Sequence, residues 1–185
     1  MEILLDIIRS VDYNILLLIA DKLRGGVLDP VMTMLSLMGN GGAVWITLAL
    51  LLLFFRKTRR AGAAMLLAML VGFLVGNLWL KELVMRPRPF VTHSDLTALL
   101  APGDRWSFPS GHAATALWCF HKKAGALALV LAAFIAFSRL YASVHYPTDV
   151  LAGMLIGIAL AHAAAFLTDR IIDTFHSIRL RKGDK

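Results

Sequence analysis

The sequence predicts an all-α integral membrane protein, a helical bundle of five or six spans preceded by an amphipathic helix at the membrane interface. Three observations predict it. The apolar fraction is 58% against 17% charged residues, whereas soluble domains carry ~25% charged and at most ~50% apolar residues. Several uncharged runs approach the ~20 residues that a spanning helix needs. Finally, the charges behind the net +7 gather between those runs, at 56–60, 122–123 and 179–182. That is the pattern of cytoplasmic loops and tails under the positive-inside rule. A nucleic-acid partner is not expected.

The elements follow in order. Residues 1–24 place Leu4, Ile8, Val11, Ile15 and Leu18 at helical spacing, with Asp6, Arg9, Asp21 and Lys22 breaking the apolar run. Such a pattern favours a helix lying on the membrane over one crossing it. A bundle over 25–170 and a cytoplasmic tail over 171–185 complete a single domain. Within the bundle, 31–55 is long enough to span but is interrupted by Gly39-Asn40-Gly41-Gly42, and 62–80 is uncharged throughout. The run 113–120 is short, 124–137 leads to Ser138-Arg139, and 150–167 is the last span. Backbone in lipid must satisfy its own hydrogen bonds, so these runs are expected to be helices. Gly72-x-x-x-Gly76 and Gly153-x-x-x-Gly157 read as faces for close helix packing. The lone cysteine, Cys119, excludes a disulfide framework. The N-terminus has no signal-peptide pattern, since Glu2 and Asp6 stand where a basic region would be.

With the basic clusters on the cytoplasmic side, 81–109 and 138–149 face outward, and these loops hold the remaining polar clusters. Lys81, Arg88 and Arg139 supply the cations that a phosphoryl group demands. Lys81 and Arg88 are seven residues apart and would share a face if the helix continued. Ser110 and Gly111 precede a helix, where free N–H groups favour an anion and glycine permits close approach. His145 and Asp149 are four apart, with Pro147 placed to start the final helix. A carboxylate on one imidazole nitrogen would leave the other free to attack phosphorus. His112 is placed to act as general acid and then to activate water.

Here the chain resembles the type 2 phosphatidic acid phosphatase superfamily, whose motifs are K-x6-R-P, P-S-G-H and S-R-x5-H-x3-D. All occur in order, as Lys81 with Arg88-Pro89, Pro109-Ser110-Gly111-His112, and Ser138-Arg139 with His145 and Asp149. The resemblance implies that His145 is the nucleophile, Asp149 its partner and His112 the acid. It also implies that Lys81, Arg88, Ser110, Gly111 and Arg139 hold the phosphate. The motif spacing assigns Arg88 rather than Arg86 to phosphate, leaving Arg86 and His93 as additional headgroup contacts. The run Arg88-Pro89-Phe90-Val91-x-His93 is similar to small bacterial undecaprenyl-diphosphate phosphatases linked to bacitracin resistance.

The expected activity is therefore hydrolysis of a lipid phosphate or diphosphate through a phosphohistidine, with no metal or other cofactor. The expected substrate is undecaprenyl diphosphate in carrier-lipid recycling for cell-wall biogenesis, at the outer face of the bacterial plasma membrane. Phosphatidylglycerol phosphate, phosphatidate and lipid A phosphates remain alternatives. A transporter would place charges near span midpoints, where almost none occur, and an inactive lipid-binding relative should have lost a motif residue. His121 and His176 read as solvated, His162 as bonded to a neighbouring helix, Trp79 and Trp106 as interfacial anchors, and Glu82 as a local ion-pair partner of Lys81.

Overall fold

The computed structural model describes residues 2–115 and 122–183. Cys119 and His121 lie outside the described residues, as do the side chains of Lys122, Lys123, His176 and the basic group at 179–182. Among the described residues the chain is helical with no strand. The helices are α1 (Glu2–Lys22), α2 (Leu28–Met38), α3 (Ala43–Phe54), α4 (Arg59–Gly72), α5 (Lys81–Val84), α6 (Pro89–Thr92), α7 (Gly111–Thr115), α8 (Lys122–Tyr141) and α9 (Pro147–Gly183).

The break expected at Gly39–Gly42 is real. A 3-10 turn, Asn40–Gly42, separates α2 from α3, and the two helices meet at a bend of 49°. Gly41 and Gly42 take left-handed φ of 61° and 71°, which glycine adopts without steric cost. Two helical stretches are long and apolar enough to cross a membrane, Arg59–Thr92 and Pro147–Phe175, and a third if the bent pair is one span. Ala128–Tyr141 is a shorter apolar helix. By length and composition the described residues therefore hold two such spans, or three if the bent pair counts as one. Apolar side chains such as Leu151, Leu155 and Phe166 are exposed along α9, as a lipid-facing surface requires. Inside, Trp45, Ala49, Met65, Ala132 and Ile135 join α3, α4 and α8 in one buried cluster.

Of the two glycine pairs, one packs closely and the other does not. A Cβ on Gly153 or Gly157 would collide with the backbone carbonyls of Ser110 and Ala114, so α9 and α7 lie in backbone contact. At Gly72 and Gly76 a Cβ would meet its neighbours at 3.6 and 3.9 Å, an ordinary contact. The close face presses α9 against the turn that carries Ser110 and His112.

Helix α1 faces the opposite way from an amphipathic helix on a soluble protein. Leu4, Val11 and Leu18 are more than half exposed, while Asp12, Leu16 and Ile19 are buried against the bundle. The apolar stripe read from the sequence thus points away from the protein, and a carboxylate points in.

Arg60 at the start of α4 pairs with Asp169 at 3.5 Å and Asp173 at 2.9 Å near the far end of α9. The helical path from Arg60 to Lys81 covers about 30 Å at 1.5 Å per residue, roughly one hydrocarbon thickness. The basic end and the motif end therefore lie at opposite ends of the bundle.

Candidate active site

Between α4 and α5 the helix widens into a π-helical segment, Phe73–Leu80, in which the Lys81 N–H bonds the Gly76 carbonyl. Such segments recur at functional sites because they re-aim the side chains that follow. The helix then stops at Val84, and Met85 takes a left-handed φ of 47°. The two-turn helical face expected to align Lys81 with Arg88 does not form. The two side chains still converge, because Asp104 draws them together. Lys81 Nζ lies 2.5 Å from Asp104 Oδ2, and Arg88 pairs with Oδ1 of the same carboxylate. Arg88 also donates to the Val144 carbonyl at 2.5 Å, which ties it to the loop before α9.

Lys81, Arg88, Asp104, Gly111, His112, Arg139 and His145 line one cavity of about 900 Å³. Its other walls are apolar, with Ile46, Met65, Leu66, Met69, Phe73 and Leu160 from α3, α4, the π segment and α9. Two buried polar atoms beside the charged end lack a protein partner, the Ser110 hydroxyl and Arg139 Nε. Arg139 donates its NH1 to Ser36 on α2. His112 Nε2 is 3.1 Å from the Asn40 side-chain oxygen, so the α2–α3 break sits against one of the two motif histidines. Gly39 permits that approach, since a Cβ there would stand 2.5 Å from the imidazole.

The arrangement at His145 differs from the expected pairing. His145 Nδ1 lies 2.7 Å from the Ser107 carbonyl oxygen, to which it donates, whereas Asp149 Oδ2 is 3.8 Å away, beyond hydrogen-bond reach. Asp149 has other partners. It sits in the first turn of α9, where Oδ2 accepts the Tyr146 N–H at 2.8 Å and Oδ1 accepts Arg86 at 2.6 Å. The backbone carbonyl thus fixes the tautomer, with Nδ1 protonated and Nε2 free, and Asp149 contributes charge from behind. His145 is fully enclosed, and burial drives its pKa down from 6.5 to about 4; Arg88 and Arg139 act in the same direction, and Asp149 opposes them. The imidazole is therefore neutral near pH 7, the form that has a lone pair to give. Burial alone would raise the Asp104 carboxyl, but Lys81 and Arg88 outweigh it and hold the group below the ordinary carboxylate range.

Arg86 and His93 lie away from the charged end of the cavity. Arg86 binds Asp149 on α9 and Asp12 on α1, at 2.6 and 2.7 Å, and lies 4.0 Å over the Tyr146 ring. His93 stacks on Tyr13 with ring centroids 4.2 Å apart. Glu82 accepts from Trp106 at 3.4 Å, while Lys81 turns to Asp104 instead. His162 bonds the Ile158 carbonyl of its own helix at 2.8 Å.

Sequence reading missed Asp12, Asp104 and Arg24. Arg24 anchors the loop after α8 through the Tyr141 and Thr97 carbonyls and the Ser143 hydroxyl. Each of the three is distant in sequence from what it binds and belongs to no short motif. The one available signal was a charge in an otherwise apolar stretch, and Asp12 carried it. Among the described residues no group of three or more His, Cys, Asp or Glu side chains is disposed to share a metal ion.

Residues 59–172 match the model of the PAP2 superfamily. The chain is 34% identical over 122 residues to an undecaprenyl-diphosphatase of Sulfolobus acidocaldarius, covering 62% of this chain and 58% of that protein. It is 34% identical over 132 residues to a decaprenylphosphoryl-5-phosphoribose phosphatase of Mycobacterium tuberculosis, covering 66% and 71%. The first-matched relatives are longer, and the chain spans between about half and three-fifths of their length. The fold superimposes on the crystal structure of a transmembrane PAP2-type phosphatidylglycerolphosphate phosphatase from Bacillus subtilis. That match has a TM-score of 0.71 and 28% identity, over 88% of this chain and 87% of that one.

Proposed function

The chain belongs to the PAP2 superfamily, and on that premise we propose that it is a membrane lipid phosphatase whose substrate is undecaprenyl diphosphate. The observation that carries the reading is the cavity itself. Three cations and two imidazoles stand at one end, and apolar walls run from there into the bundle. A phosphate at the charged end would leave a polyprenyl chain among Met65, Met69, Phe73 and Leu160.

In the proposed reaction, Lys81, Arg88 and Arg139 take the terminal phosphoryl oxygens, aided by the Ser110 hydroxyl and the Gly111 N–H. Asp104 must yield Lys81 and Arg88 to the incoming phosphate, exchanging one anion for another. His145 Nε2 attacks phosphorus, and the Nε2–P bond forms as the anhydride P–O bond breaks. The departing oxygen, on undecaprenyl phosphate, takes its electron pair and a proton from His112. Nδ1–H stays on the Ser107 carbonyl, so the phosphorylated ring is cationic. Water then attacks the phosphohistidine, its proton passes to His112, and inorganic phosphate leaves with Nε2 restored. The residues supply cations, acid, base and nucleophile, and the proposed chemistry calls on no metal ion. The motif end faces outward from the plasma membrane, where carrier lipid is recycled.

The relatives named for undecaprenyl diphosphate and decaprenyl-linked substrates support a polyprenyl tail. A phosphatidylglycerol phosphate phosphatase is the second reading, favoured by the B. subtilis structure. Phosphate release by detergent-purified protein from undecaprenyl diphosphate, phosphatidylglycerol phosphate and phosphatidate, with EDTA present, tests both. Fastest turnover of the diphosphate is expected. Preference for a phosphatidyl substrate would move the reading to the second class, and loss of activity in EDTA would end the metal-free mechanism.

A further inference from the structure

Behind His145 lies a chain of charges that the reaction as drawn leaves unused. Arg86 spans two buried carboxylates, Asp149 on α9 and Asp12 on α1, at 2.6 and 2.7 Å. Asp12 also accepts the Thr148 N–H at 3.0 Å and the Thr148 hydroxyl. A carboxylate from another helix thus caps the first turn of α9, the positive end of its dipole. Asp12 is 1% exposed and lies before residue 59, where the family match begins.

We propose that Asp12 is a positioning residue for the nucleophile, keeping the chain Asp12–Arg86–Asp149 net negative behind His145. The inference rests on the reading of His145 as nucleophile. Its physical basis is a charge count. Asp149 paired with Arg86 alone would be electrically cancelled and of little use to a ring that becomes cationic on phosphorylation. Two carboxylates sharing one guanidinium leave a surplus negative charge, held in a buried site where water screens it poorly. Asp12 takes Nη2 of Arg86, so the guanidinium meets Asp149 through Nη1 alone. The remaining charged and titratable groups facing His145 are Arg88, Arg139 and His112, with Lys81 and Asp104 on the same cavity wall. The first two disfavour a cationic ring, so the surplus from α1 is the counterweight.

The test is the titration of the His145 ring, followed by NMR in detergent micelles, alongside the pH–rate profile. Asp12→Asn should lower the His145 midpoint, and the acid limb of kcat/KM with it, by about one pH unit. At neutral pH kcat should fall about tenfold while KM stays within about twofold. Asp12→Glu should recover most of the midpoint. Thr148→Val removes the hydroxyl's hydrogen bonds to Asp12 and from Arg86 but no charge from the same cluster, and should leave the midpoint near that of the parent protein. The double variant Asp12→Asn with Arg86→Gln deletes one charge of each sign, restores the net charge around Asp149, and should return the midpoint towards the starting value. An unchanged midpoint in folded Asp12→Asn overturns the proposal. So does a Thr148→Val shift as large, or a double variant below the single one. Should the single variant fail to fold, the double one decides against the parent protein, and a midpoint about one pH unit or more below the parent's overturns the proposal. If the unmutated protein releases no phosphate from any lipid, the proposed function falls, but the midpoint still judges the role of Asp12.

Discussion

The nine residues from Lys81 to Pro89 feed two ionic clusters on opposite sides of His145. In front, Asp104 is shared by Lys81 and Arg88. Behind, Arg86 is shared by Asp12 and Asp149. Their composition is nearly mirrored, two cations on one anion against two anions on one cation, but their burial is not. The Asp104 side chain is 43% exposed on a loop, whereas Asp12 and Asp149 are 1% and 0% exposed on helices. A half-exposed anion on two buried cations can be exchanged for another anion at small cost. A buried one cannot leave without stranding a charge, which costs several kcal/mol. The front cluster is therefore built to swap ligands and the back cluster to hold a fixed charge.

That contrast can be broken at several points. The largest effect is expected at the residue both clusters serve: His145→Ala should abolish phosphate release, and a surviving normal rate would remove it as nucleophile. Next, Arg88→Ala takes out a front cation proposed to meet the transferring phosphoryl group. The kcat should drop by about two to three powers of ten, as for loss of a group stabilising transition-state charge, in a single-turnover assay with lipid substrate.

Lowering the pH should strain the site at His145, whose folded pKa of about 4 lies below its unfolded 6.5. The unfolded state binds the extra proton between those values. Stability contributed by the neutral ring is thus complete above about 6.5 and lost as the pH falls towards 4. Melting in detergent, followed by circular dichroism, should show a declining Tm across that window, and a flat profile would contradict the buried neutral imidazole. The smallest effect belongs to Asp104. Asp104→Asn removes the competing anion, and vanadate should then inhibit at several-fold lower concentration, in line with about 1 kcal/mol for an ion pair whose anion is half-exposed. Weaker vanadate inhibition would mean that Asp104 preorganises the cations instead of competing for them.

Much of the fold class and of the front cluster was legible in the chain, because their signals are local. Apolar runs and clustered Lys and Arg identify membrane helices without knowledge of any contact. Lys81, Arg88, His112, Arg139 and His145 fall within short motifs, and the structure brings all five to one cavity. Local signals also misled. The seven-residue spacing of Lys81 and Arg88 suggested a shared helical face, yet the helix ends at Val84. The four-residue spacing of His145 and Asp149 suggested a hydrogen bond, yet the carboxylate caps its own helix and binds Arg86 while a backbone carbonyl takes the imidazole.

Local pattern by itself determined the membrane class, the sorting of charge to two ends of the bundle, and the residue types gathered for a phosphate. Tertiary structure alone decided which anions face those cations, what Arg86 binds instead of the cavity, and that a carboxylate of the first helix reaches the last. The physical reason is range. Helix periodicity and motif spacing act over a few residues, whereas Asp12 meets Arg86 across 74 positions and Thr148 across 136. Pairings at that distance exist only once the helices have packed and the glycines of α9 have let them close.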